Sequence, residues 1–146
     1  MNDTSVGPKG QEIFQGQKDH IFHCVGHLYK EPVVLAKGEG AKAWDADGRE
    51  YLDFFSGILT TSVGHCHPRI VDAICQQAGT LGHTSTLYVT KPQVEAARRL
   101  TAITPGDLNK VFFSNSGSEA IETAVNLACV ATGRMEVIAL RGGYHG

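Results

Sequence analysis

Nowhere does this sequence contain an apolar run long enough to cross a bilayer, a block of like charge, or two cysteines spaced as C-x-x-C. Each absence excludes a class of function. A spanning helix needs about 20 consecutive apolar residues, so no membrane segment is expected. The 13 basic and 15 acidic side chains are interspersed and leave a formal net charge of −2, so neither a nucleic acid nor an anionic membrane is an expected partner. Cys24, Cys66, Cys75 and Cys129 stand far apart, which reads as reduced thiols rather than a disulfide framework or a zinc ribbon. Residues 1–22 lack the apolar core of a signal peptide and carry acidic residues without arginine, so the cytoplasm is the default compartment. There is also no Walker-A sequence.

What is present suits a globular protein. A chain of 146 residues with 42% hydrophobic content has material for one ordinary domain and a core. The first thirty or so residues mix glycine, lysine and glutamine and read as an irregular or partly helical arm. Then come Val33-Val34-Leu35-Ala36, Ala43-Trp44-Asp45, the turn signal Asp47-Gly48 and Tyr51-Leu52-Asp53-Phe54, short strands that predict an antiparallel meander. Gly57 to Gly64 reads as a glycine-bounded loop.

Three helices are expected beyond it. Pro68 opens the first, since proline fits a first helical turn, and Ile70, Val71, Ile74 and Ala78 line one side as far as Ala78. The second runs from Pro92 through Leu100, with Val94, Ala97 and Leu100 together. The third begins near Glu119, carries Ile121, Ala124, Val125 and Ala128 on one face, and finds a carboxyl-terminal cap in Gly133. Val111-Phe112-Phe113 and Val137-Ile138-Ala139-Leu140 flank it and predict buried parallel strands, making a βαβ unit.

The turn Ser114-Asn115-Ser116-Gly117-Ser118-Glu119 is the strongest local signal for chemistry. Free N–H groups at a helix start, backed by the helix dipole, converge on a phosphate, and Ser116 and Ser118 add hydroxyls. Serine followed three residues on by glutamate is equally a capping box that needs no ligand. Gly142-Gly143-Tyr144-His145-Gly146 follows an expected parallel strand, where α/β proteins place ligands, and a tyrosine flanked by glycines offers a face to a flat ring or is simply a surface turn. In His65-Cys66-His67 neighbouring side chains diverge, so no metal site is expected. Gly38-Glu39-Gly40-Ala41-Lys42-Ala43 is a poor dinucleotide fingerprint, because Asp45-Ala46-Asp47-Gly48 breaks the helix that should follow.

Four of these pieces occur together in one family. Trp44 to Ile58, then Val63-Gly64-His65-Cys66-His67-Pro68, then Asn115-Ser116-Gly117-Ser118-Glu119-Ala120, then Gly142 to Gly146 strongly resemble class-III aminotransferases of fold type I, from about residue 30 to the last residue. Phe54-Phe55-Ser56-Gly57 with His83-Thr84-Ser85-Thr86 is most similar to the alanine–glyoxylate branch, with 4-aminobutyrate and acetylornithine branches near it.

The resemblance implies an α/β protein. Residues 1–56 would form the amino-terminal arm and small-domain meander, and residues 57–146 the first part of the large cofactor-binding domain. It implies pyridoxal 5′-phosphate as cofactor, with Ser116, Gly117 and Ser118 at its phosphate, Tyr144 stacked on its ring and His145 beside it. Ser56, Gly57 and Ile58 would line the substrate side, across a homodimer interface. Amino donor and 2-oxo acid acceptor would be its small-molecule partners. Members of that family are roughly three times as long as this chain, as suits a multi-domain enzyme rather than a single domain. Their Schiff-base lysine lies downstream of this chain's last residue, and Lys91 and Lys110 lie outside the family's lysine motif, so no catalytic residue is assigned here. The chain is thus expected to be an amino-terminal portion inactive by itself. The alternative is a short non-catalytic homologue that binds the cofactor weakly or pairs with a full-length chain.

Overall fold

The computed structural model describes residues 6–24 and 31–145. These divide into two units, Met1–His83 and Thr84–Gly146.

The first unit is built on a three-stranded antiparallel sheet in the order β1 (Leu35–Glu39), β2 (Lys42–Asp45), β3 (Glu50–Leu52). The expected meander is present, but its first strand lies further along than Val33 to Ala36. The reason is the two-residue connection Gly40-Ala41, which pairs Glu39 with Lys42, Gly38 with Ala43 and Lys37 with Trp44, so that polar residues continue the strand. The Lys37 ammonium sits 4.4 Å from the centre of the Trp44 ring on the facing strand, and Lys42 bonds Glu50 at 2.9 Å across β2 and β3. Ala43, 3% exposed, sits at the middle of the sheet and is the buried hydrophobic residue among those described.

The connection from β2 to β3 is organised by Asp45. Its Oδ1 accepts the N–H of Asp47 at 3.1 Å and of Arg49 at 2.8 Å, and its Oδ2 accepts the Tyr51 hydroxyl at 2.8 Å. Partial desolvation pushes the Asp45 carboxyl up, but these donors outweigh it and hold the group below its ordinary range. Tyr51 moves the other way, raised by desolvation and by its bond to the Asp45 charge.

The arm is helical: α1 spans Pro8–His20, with proline at the start and Lys18 and His20 in the last turn, where cations suit the dipole. Its cap position is Gly7, which offers no side chain. Asp47 supplies the missing acceptor from the β2–β3 turn, taking the N–H of Lys9 and of Gly10, each at 3.0 Å.

The segment expected as a loop after β3 holds one helical turn, α2 (Ser56–Leu59), and it is left-handed. Ser56, Gly57, Ile58 and Leu59 have φ of 52°, 56°, 59° and 66°. The helix α3 (Pro68–Thr80) starts at the expected proline and runs two residues past Ala78.

In the second unit, α4 (Lys91–Ile103) contains the expected helix and extends it at both ends. Glu95 accepts from Arg98 at 3.2 Å and Arg99 at 3.0 Å on its exposed side. The helix α5 (Gly117–Thr132) begins two residues before Glu119 and ends at Gly133, whose left-handed conformation closes it on the Cys129 carbonyl. The two flanking parallel strands are not formed. Residues 111–114 and 134–140 enter no strand pairing among the described residues, and the expected burial is absent too: Phe112 is 74% exposed and Ile138 fully exposed. The physical reason is that a strand exists only as a member of a hydrogen-bonded ladder, and an apolar run without partner strands has neither ladder nor cover.

Candidate functional site

The phosphate-type candidate is the start of α5. Ser116 is the N-cap, with extended backbone (φ −148°, ψ 161°), and its Oγ accepts the Glu119 N–H at 3.2 Å. The Glu119 carboxylate reaches back to the Asn115 N–H at 2.7 Å, one residue before the usual partner of a capping box. Ser116 Oγ thus accepts for the helix while its O–H hydrogen is left to donate. Gly117 and Ser118 are the first two helical residues, exposed, and their N–H groups have no acceptor within the helix. The donor set of the two N–H groups and the Ser118 hydroxyl, at the positive end of a 16-residue helix, fits a phosphate.

Tyr144 is 90% exposed, so its ring face is accessible. It follows a turn closed by the Gly143 N–H on the Leu140 carbonyl at 3.1 Å, and the His145 ring folds back toward Gly143. No hydrogen bond joins Tyr144 or His145 to residues 116–118 among the described residues.

Ser56, Gly57 and Ile58 belong to the first unit, where they form most of the left-handed turn. Left-handed backbone costs roughly 1–2 kcal/mol per non-glycine residue, so such a turn persists only where its surroundings fix it. Asp53 does part of this: its Oδ1 accepts the N–H of Phe55 and of Ser56, each at 2.8 Å. Its Oδ2 accepts the Nε2–H of His65 at 2.6 Å. The Ser56 N–H, the His65 ring and the Phe55 N–H together hold the Asp53 carboxyl below its ordinary value.

His65 is itself fixed. Its backbone pairs with Gly40 in both directions, at 3.0 and 2.8 Å, and its ring lies so close over Gly38 that a Cβ there would come 2.6 Å from the ring. A cleft of about 290 Å³ lies here, with Gly40, Asp53, Ser56, Thr61 and His65 on its walls, and the Thr61 hydroxyl is buried without a hydrogen-bond partner.

Sequence reasoning did not find the Asp53–His65 pair. Its members are twelve positions apart and neither lies in a pattern that demands the other. The available signal was the His-Cys-His stretch, which reads as a poor metal site and as the structural entry to the helix at Pro68. Among the described residues no cluster of His, Cys, Asp and Glu could hold a metal, and no helix is long and apolar enough to cross a membrane.

Residues 25–146 match the sequence pattern of the family described as aminotransferase class-III. The chain belongs to the class-III aminotransferases. It is 51% identical to an acetylornithine aminotransferase of Methanopyrus kandleri over 115 residues, covering 79% of this chain and 30% of the relative. It is 41% identical to the human mitochondrial alanine–glyoxylate aminotransferase 2 over 134 residues, covering 92% of this chain and 26% of the relative. Among solved structures, the taurine:2-oxoglutarate aminotransferase of Bifidobacterium kashiwanohense, in complex with PLP and glutamate, is similar over the whole chain and 32% of its own length. The TM-score is 0.83 at 28% identity. This class-III aminotransferase chain thus spans between 26% and 32% of the length of these relatives. Its mixed α/β fold corresponds to part of a fold-type-I aminotransferase. The family depends on pyridoxal 5′-phosphate.

Proposed function

We propose that this chain is the cofactor-holding amino-terminal portion of a transaminase that moves an amino group between an α- or ω-amino acid and a 2-oxo acid. The observation that carries the reading is the start of α5, where Ser116 caps the helix and leaves the N–H groups of Gly117 and Ser118 and the Ser118 hydroxyl exposed as donors for a phosphate. Tyr144, with its open ring face, would stack on the cofactor ring, and His145 would lie beside it. Ser56, Gly57 and Ile58 would form part of the substrate wall, in a homodimer with two such sites. When bound, pyridoxal 5′-phosphate supplies an aldehyde to carry the amino group and a ring that accepts electrons as a proton leaves the substrate.

The residues of this chain have positioning roles in that reaction. Donors at Gly117 and Ser118 prevent rotation of the bound group, and the Tyr144 face fixes the ring plane, which decides which substrate bond stands perpendicular to it. The similarity to acetylornithine and alanine–glyoxylate enzymes supports an amino acid as donor, and the alanine–glyoxylate type is the reading we adopt. The cytoplasm is the compartment this reading carries.

The test is phosphate selectivity. Equilibrium dialysis with pyridoxal 5′-phosphate and with pyridoxal, which has the same ring without the phosphate, should show stronger retention of the phosphorylated form. Ser118→Ala should reduce that preference. Equal retention of both probes would overturn the assignment of the α5 start.

A further inference from the structure

We propose that His65 and Asp53 form a positioning pair that sets the Ser56–Ile58 substrate wall; the inference rests on the reading of those three residues as that wall. The wall is a left-handed turn in which only Gly57 is at ease, because Ser56, Ile58 and Leu59 also carry positive φ. A turn of this kind relaxes unless its entry is held.

The entry is held by one carboxylate. Asp53 Oδ1 takes the N–H groups of Phe55, the last residue before the left-handed turn, and of Ser56, its first. The orientation of that carboxylate is in turn decided by its second oxygen, which receives the His65 Nε2–H at 2.6 Å. His65 is anchored from two directions, by its backbone pairing to Gly40 and by the seat of its ring over Gly38. A displacement of the imidazole therefore passes through Asp53 to the backbone of Ser56. Asp53, His65 and Gly40 line the cleft of about 290 Å³ together with Ser56, the first residue of the wall, so the pair borders the space that Ser56 faces.

His65 and Asp53 are positioning residues. Neither is assigned contact with the reacting atoms. What they govern is the conformation of a wall, and an error there weakens substrate binding before it slows the chemistry.

The experiment uses the complete transaminase polypeptide that carries these residues, with alanine as donor, glyoxylate as acceptor, and kcat and KM measured separately. His65→Ala and His65→Asn are expected to raise KM about tenfold with kcat within about twofold. His65→Gln is expected to restore KM to within about threefold, because the glutamine amide nitrogen can stand where Nε2 stands while asparagine is too short to reach Asp53. Ile58→Ala reports on the wall directly and should also change KM. If Ile58→Ala changes KM and His65→Ala does not, the wall stands and the pair is overturned. If neither changes KM, the wall reading fails and the pair falls with it. If the glutamine and asparagine variants lose the same fraction of folded enzyme and do not differ in KM, His65 is merely structural. Should His65→Ala not fold, the contrast between glutamine and asparagine still decides.

Discussion

Asp47 accepts the N–H of Gly10 at 3.0 Å from 37 residues away and so caps a helix that has no cap of its own. The same carboxylate takes the N–H of Lys9, so both of its oxygens serve the first turn of α1. Asp47→Ala should free the arm from the sheet, at a cost of about 1 kcal/mol as for other lost N-caps. Hydrogen exchange at Lys9 and Gly10 should accelerate, and unchanged protection there would contradict the docking.

The Asp53 carboxyl is held below its ordinary value by the Ser56 N–H, His65 and the Phe55 N–H. A carboxyl depressed in the folded state stabilises above its unfolded pKa and loses that contribution as pH falls through the folded one. The Ser56 turn is therefore expected to stay intact at neutral pH and to loosen only below the usual carboxylate range. A carbon-13 titration of the Asp53 carboxyl should show its midpoint below that of an exposed aspartate, and Gly38→Ala, below, should shift it back upward.

Gly38→Ala places a Cβ 2.6 Å from the His65 ring, closer than carbon atoms approach. The ring must move off its seat and away from Asp53. Overpacking of this kind costs roughly 1–3 kcal/mol, read as a lower denaturant midpoint. A midpoint equal to that of the parent chain would show that the ring adjusts freely.

Ser116 and Ser118 should separate structure from binding. Ser116→Ala removes the bond to the Glu119 N–H and should reduce α5 stability by about 1 kcal/mol. Ser118→Ala removes a hydroxyl that takes no part in the cap, and should leave helix content by circular dichroism unchanged while weakening retention of pyridoxal 5′-phosphate. The reverse pattern would mean that the two serines exchange roles.

The chain mixed with pyridoxal 5′-phosphate, alanine and glyoxylate is expected to give no pyruvate, since none of its lysines lies in the family's lysine motif. Coupled detection of pyruvate checks this, and sustained turnover would overturn it.

The sequence by itself determined α3, α4 and the capped start of α5. Pro68, Ser116, Glu119 and Gly133 act within one turn of their own position, and such short-range signals survive without knowledge of the rest of the molecule. It also determined family membership, because four motifs in one order constrain the chain more tightly than any one alone. Only the tertiary structure decided the rest. The register of β1 follows from the Gly40-Ala41 connection and its pairing to β2. The runs at 111–113 and 137–140 have the composition of strands, but composition cannot supply the partner strands that a ladder requires. The left-handed turn at Ser56 and the bonds from Asp47 to Gly10 and from His65 to Asp53 join positions whose separation carries no periodic signal, and folding alone brings them within hydrogen-bond reach.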